Sequence, residues 1–198
     1  MKNDAIFNAL IEENNGYLRT ADAVGAGVSR TSLGSFVHRN NLDRVSRGLY
    51  LSQDAWQDNL YEIQIRYPHA VFSHETALNL LNLTDSVPTK NTITLETSMG
   101  ATRLREEGLR VYRTRSELFE VGLSEVRTPL GHLVRCYNAE RTICDIIRNK
   151  RNVEIQDIQT AVKSYFRSRH KDIPLLMRYA KLFLVEKAIR QYTEVLLS

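Results

Sequence analysis

The stretch Tyr17–Ser52, YLRTADAVGAGVSRTSLGSFVHRNNLDRVSRGLYLS, decides how the rest of the chain is read, because its breaks and periods follow the order helix, turn, helix, hairpin. Thr20 is placed to cap a short helix through Val24, and Gly25 and Gly27 then supply the backbone freedom of a tight interhelical turn. Ser29 caps a second helix, in which Leu33, Phe36 and Val37 keep the i, i+3, i+4 spacing of a buried stripe. Arg30, Thr31, Ser32, Ser35, His38 and Arg39 are left for its outer side. An ordinary solvated helix face carries several Glu; this one has none from Ser29 to Asn40. Arg with Ser and Thr suits phosphate oxygens, and Arg and His suit the acceptor atoms of base edges. After Asn40 the period falls to two: Leu42, Val45, Leu49 and Tyr50 flank the turn Ser46-Arg47-Gly48, so two short strands are expected, with Arg44 and Arg47 on the wing or at its tip. Together these features predict a winged helix-turn-helix that binds double-stranded DNA, the alternative being a winged helix that binds protein.

Working outward, 198 residues with 42% hydrophobic content allow one large or two small packed domains, and two is the better fit. We expect an α+β chain: a winged helix-turn-helix over residues 1–52, then over 53–198 a mixed or antiparallel sheet domain with basic C-terminal helices. No run approaches the roughly 18 to 20 apolar residues that span a bilayer, and MKNDAIFNAL lacks the form of a signal peptide, so a soluble cytoplasmic protein with no membrane partner is expected. Cys136 and Cys144 fit neither a redox pair nor a zinc pattern and read as buried free thiols.

Charge is informative once divided. Residues 1–52 carry 6 Lys+Arg and 5 Asp+Glu, residues 53–134 carry 8 and 11, and residues 135–198 carry 13 and 7. The wing domain is nearly neutral, so its basic side chains must gather on one face if it binds DNA, and the last third is the most basic part.

The remaining elements follow from period and punctuation. A helix from about Asn3 to Asn14 turns Ile6, Leu10 and Ala9 inward, and Gly16 stops it. A helix starting at Asp54 carries Trp56, Leu60 and Ile63 and runs from the first domain into the second, no Gly/Ser/Pro-rich linker intervening, which implies closely coupled domains. Val71-Phe72 reads as a strand, and Ser73 caps a helix with Ala77, Leu78, Leu80 and Leu81. Strands are expected at 92–96, 109–113, 125–128 and 133–137. Three helices finish the chain. In the first, Asn138 to Asn149, Ile143 and Ile147 face inward, and Arg141 and Asp145 form an i, i+4 structural brace. The second, Val153 to Ser168, buries Ile155, Ile158, Val162 and Tyr165; Lys163 and Arg167 lie opposite with Gln156 and Gln159, and His170 joins them if the helix continues. This is a second candidate DNA-contacting face, the alternative being a solvated basic face. The last helix, capped by Asp172, scatters its basic residues and reads as core packing.

Enzyme signatures are weak. There is no phosphate-binding GxxxxGK[ST] loop and no GxSxG elbow. His74-Glu75 lacks the second His of a metalloprotease helix, Leu78 standing in its place. Glu140, Arg141 and Asp145 lack the paired acidic strand and Lys of a metal-dependent nuclease. No catalytic residue, metal or cofactor is assigned.

Three segments carry a family resemblance. LDRVSRGLYL looks like the wing of the AbiEi-type antitoxins, the DNA-binding halves of abortive-infection toxin–antitoxin systems assigned to type IV. Ala70–Leu83, AVFSHETALNLLNL, resembles that family's Ser-His-Glu-Ser-Ala-Leu pattern with Thr76 in the Ser place. Glu140–Arg148, ERTICDIIR, resembles its Glu-Arg-Thr-x-x-Asp helix. The resemblance implies a repressor that binds inverted repeats in its own promoter, a second copy meeting it on the DNA, and a nucleotidyltransferase-like toxin countered without a stable complex. A stand-alone regulator with a ligand-sensing second domain and a winged-helix-targeted DNA-processing enzyme stay open as other readings.

Overall fold

The computed structural model describes the backbone of residues 3–197 and the side chains of residues 3–194. Two compact units emerge, one comprising the chain up to Pro68 together with Arg127–Leu133, the other His69–Val126 and the chain from Val134 onward.

The first unit begins with α1 (Asp4–Glu13), β1 (Tyr17–Arg19), α2 (Thr20–Gly25) and α3 (Arg30–Arg39). The hairpin β2 (Asp43–Ser46) and β3 (Leu49–Leu51) follows, then α4 (Asn59–Arg66). Phe7, Leu18, Ala23, Val28, Leu33, Phe36 and Leu42 form the core under the helices. The rings of Phe7 and Phe36 lie 4.5 Å apart and lock α1 to α3. β1 and β2 both pair antiparallel with β3, giving a three-stranded sheet in the order β1-β3-β2. Gly16, at φ +96°, turns the chain from α1 into β1; a Cβ there would stand 2.1 Å from that of Ala55, so only glycine fits.

Asp58 closes this unit. Its Oδ1 caps α4, accepting from the N–H of Leu60 at 3.1 Å and of Tyr61 at 3.2 Å. Its Oδ2 accepts from Thr128 Oγ1 at 2.5 Å and meets His132 Nδ1 at 2.7 Å. His132 Nε2 faces the carbonyl oxygen of Asn14 at 3.1 Å, so both ring nitrogens point at acceptors, and the ring stacks on Tyr61 at 4.2 Å. The Tyr17 hydroxyl accepts from the Asp58 N–H and donates to Glu62, both at 2.8 Å. The first unit therefore extends beyond residue 52, because α4 and the 127–133 segment converge on one buried carboxylate.

The second unit has a five-stranded sheet in the order β6-β5-β4-β8-β7, built from β4 (Val71–Phe72), β5 (Thr92–Glu96), β6 (Arg110–Thr114), β7 (Leu123–Arg127) and β8 (Leu133–Tyr137). It is mixed: β4 and β5 are antiparallel, whereas β5 with β6 and β4 with β8 are parallel. Between the strands lie α5 (His74–Leu80), α6 (Thr102–Glu106) and α7 (Ser116–Phe119), and after them α8 (Ala139–Arg148), α9 (Ile155–Arg167), α10 (Ile173–Leu182) and α11 (Glu186–Leu197). α8 is buried along nearly its whole length and packs with α9 and α10 through Ile143, Ile147, Ile158, Val162, Tyr165, Leu176 and Phe183. Asn138 caps α8 through the Arg141 N–H, and Asp172 caps α10 through that of Leu175, with Pro174 in its first turn. Cys136 and Cys144 are free and buried, and burial pushes each thiol up to about 12.

The α+β architecture agrees with the sequence reading, while several placements differ. In α1 it is Phe7, not Ala9, that is buried. α4 starts at Asn59 rather than near residue 54, since Asp58 supplies the cap, and Trp56 precedes it with 81% of its surface exposed. That helix lies wholly within the first unit and does not run into the second. Ile155 is 54% exposed at the first turn of α9; Val153, just before the helix, takes the buried place. α9 ends at Arg167, and Ser168 is extended, so His170 is not on the helix. The last helix is two helices: α10 closes at Leu184, φ +59°, with Leu184 N–H bonding to Lys181 O at 3.2 Å and Val185 N–H to Ala180 O at 2.8 Å.

Candidate nucleic-acid interface

The turn between α2 and α3 is fixed by backbone bonds. Gly27 N–H donates to Val24 O at 2.9 Å and Val28 N–H to Ala23 O at 3.0 Å, with Gly27 at φ +80°. Ser29 then caps α3: its Oγ accepts from the Ser32 N–H at 3.2 Å. With Leu33 and Phe36 buried, the exposed face of α3 holds Arg30, Thr31, Gly34, Ser35 and His38. Two residues expected on that face also bond within the protein, and Arg39 remains exposed while doing so. Ser32 is half-buried, its Oγ 3.0 Å from that of Ser29. Arg39 donates to Asp4 of α1 at 3.0 Å.

The wing turns on Gly48 at φ +76°, and a register shift between Arg44 and Ser46 twists β2. Arg44 stands opposite Tyr50, and both Arg44 and Arg47 are exposed. The Gly48 carbonyl accepts from the Thr20 N–H at 2.8 Å, holding the wing turn against the start of α2. That contact shapes a concavity of about 460 Å³ bordered by Arg19, Thr20, Arg30, Arg44, Arg47 and Tyr50. Four arginines line it and no carboxylate does. The neighbouring acid is Asp22, 3.7 Å from Arg19. A surface lined by several arginines and no acid favours an anion over a cation. Arg30, Arg44 and Arg47 are residues that the sequence places toward DNA, and all three line this concavity. The sequence does not place Arg19 with them, because it reaches the wing only through the pairing of β1 with β3, which sets Arg19 opposite Leu49.

In the second unit, Lys163 and Arg167 are exposed on α9 with Gln156 and Gln159, opposite the buried Ile158, Val162 and Tyr165. Arg141 and Asp145 form the expected brace at 2.9 Å, and it is more extensive than the spacing indicated. Arg141 Nη1 also donates to Leu118 O at 2.6 Å and Val121 O at 2.8 Å, and the guanidinium lies 4.2 Å from the Tyr137 ring and 4.0 Å from that of Phe183. Gly122, φ +76°, passes so close that a Cβ there would stand 2.5 Å from Arg141 Cβ. Glu140 is not part of this brace; it accepts from Tyr165 Oη at 2.9 Å.

Ser73-His74-Glu75 is a strained, buried start to α5. His74 sits at φ +48°, its ring stacked on Tyr112 at 3.5 Å. Its Nδ1 lies 3.0 Å from Ser73 Oγ, and its Nε2 lies 3.1 Å from Asn149 Nδ2. Burial, with Arg141 and Arg110 nearby, pulls its value down to about 3, so the ring is neutral. Glu75 pairs with Arg110 at 2.5 Å.

A three-helix body, a capped and acid-free α3 and an arginine-bearing wing define the winged helix-turn-helix class of module. Residues 8–53 match the model of a family described as "Transcriptional regulator, AbiEi antitoxin". This is the family the sequence resembles, and the match takes in the wing; the two further segments at 70–83 and 140–148 lie outside it. No curated protein gives a match. Among solved structures, the chain is similar to the crystal structure of the RV2827C protein from Mycobacterium tuberculosis, with a TM-score of 0.57 and 13% identity over 90% of this chain and 71% of that one, a likeness of fold. Among the described residues no helix is long and apolar enough to cross a membrane.

Proposed function

We propose that the chain is an AbiEi-like antitoxin of the cytoplasm that represses its own promoter by binding inverted repeats. This reading is supported by the concavity between α3 and the wing that Arg19, Arg30, Arg44 and Arg47 line without a carboxylate among them. In this reading α3 enters the major groove with Arg30, Thr31, Ser35 and His38 toward base edges, Ser32 and Arg39 flank them, and Arg44 and Arg47 hold the neighbouring phosphates. Lys163 and Arg167 add phosphate contacts from the second unit. Two copies meet on the DNA, and a nucleotidyltransferase-like toxin is countered without a stable complex. The chain is not an enzyme, and it needs no cofactor or metal.

The test is a salt titration on duplex DNA from upstream of the chain's own gene. Log affinity should fall with log salt by about 0.9 per neutralised phosphate, and Arg47→Ala should make the slope shallower by about that amount. An unchanged affinity and slope for Arg47→Ala would sink the wing assignment. Metal-dependent cleavage of labelled DNA, abolished by Asp145→Ala, would overturn the non-enzyme reading.

A further inference from the structure

The outer face of α3 carries no side chain at its centre. Gly34 is flanked by Arg30 and His38 at i−4 and i+4, by Thr31 at i−3 and by Ser35. Glycine weakens a helix relative to alanine, through backbone entropy, and is kept inside one where something demands it. At Gly16, Gly27, Gly48 and Gly122 the demand is internal: each has positive φ, and at Gly16 and Gly122 a Cβ would also clash. Gly34 has neither reason, and unlike Gly25 and Gly100, which also lack both, it lies in the interior of a helix. Its backbone is helical, and a Cβ built on it meets nothing within 4 Å. The position is exposed, in a helix whose other outward side chains are basic or hydroxylic and which contains no acid.

We propose that the demand at Gly34 is external: it is the point where α3 comes closest to the floor of the major groove, and its missing Cβ leaves room for the methyl group of a thymine. The helix surface at Gly34 is bare backbone without a polar side chain, and Arg30 and His38 at i±4 carry donors on either side of it. Among the groups that base pairs present in the major groove, the thymine methyl alone is apolar and protruding. Arg30 and His38 would then engage the edges on either side of it. This rests on the DNA-binding reading above and adds what that reading lacks, a base preference and the residue that sets it.

The experiment compares wild type with Gly34→Ala on a duplex that the wild-type protein has selected from a random library, and on the same duplex with uracil replacing thymine. The variant should melt a few degrees higher than wild type, bind the thymine duplex about tenfold more weakly, and keep an unchanged salt slope. On the uracil duplex the penalty should shrink to less than about threefold, because the methyl that meets the new Cβ has gone. Failure of the wild type to bind or select any duplex would remove the DNA-binding reading itself. If wild type binds and Gly34→Ala binds as well, or melts lower, the close-approach role is wrong while DNA binding stands. A penalty that persists undiminished on uracil DNA would overturn the methyl assignment.

Discussion

At the scale of single residues, the second unit contains charged and polar groups that have been taken out of water and paired, Arg141 above all. Arg141 donates to one carboxylate and two carbonyls between two aromatic rings, so Arg141→Met should cost about 3–5 kcal/mol in urea unfolding, most of it from leaving Asp145 buried and unpaired. His74 gives a pH signature. Its ring is held near pKa 3 in the fold against 6.5 in the unfolded chain, so the unfolded chain binds the extra proton between those values. The contribution of the neutral ring is whole above about pH 6.5 and declines by about 1.4 kcal/mol per unit as pH falls toward the folded value. Asp145 works the other way: burial, opposed by Arg141, pushes it up to about 6, so its contribution is whole below 3.8 and is lost as pH rises through 6. The readout is therefore the stability difference between wild type and His74→Gln, which should narrow or reverse by about 2–3 kcal/mol from pH 6.5 to 4.5. A difference constant over that range would mean that the ring is not held neutral.

At the scale of elements, α3 and the wing were readable because their signals are local: a serine cap, a 3–4 spacing, a period of two, and glycines at two turns with positive φ. Ser29→Ala should accordingly cost about 1 kcal/mol, read as a lower melting temperature. β1 was not legible. Three residues cannot display a period, and Tyr17–Arg19 becomes a strand only through its partner β3, so the membership of Arg19 in the cleft was hidden with it. Trp56 illustrates the converse error: an aromatic with helical spacing to Leu60 reads as core, but Asp58 interrupts the run by capping α4. The break between α10 and α11 was missed because its left-handed residue is a leucine, where a glycine would have announced it. Leu184 is 90% exposed in that conformation, so Leu184→Gly should stabilise the protein by up to about 1 kcal/mol, seen as a higher urea midpoint.

For the whole molecule, a formal net charge of +4 says little beside its distribution, with 13 Lys+Arg against 7 Asp+Glu after residue 134. If the basic face of α9 touches DNA, Lys163→Ala with Arg167→Ala should lower the salt slope by about 1.8 without altering the melting temperature, since both side chains are exposed. The placing of Thr128 and His132 against Asp58 has a different consequence, one of timing. Synthesis runs from the N-terminal side, so residues 1–68 are made before residue 132, yet their buried carboxylate waits for partners that arrive with it. At about 5–20 residues per second that delay is roughly 3–13 s. The winged helix is therefore synthesised before the segment that finishes it. A fragment ending at Pro68 should give a poorly dispersed amide spectrum, and the nascent module should need shielding until the 127–133 segment emerges to complete it.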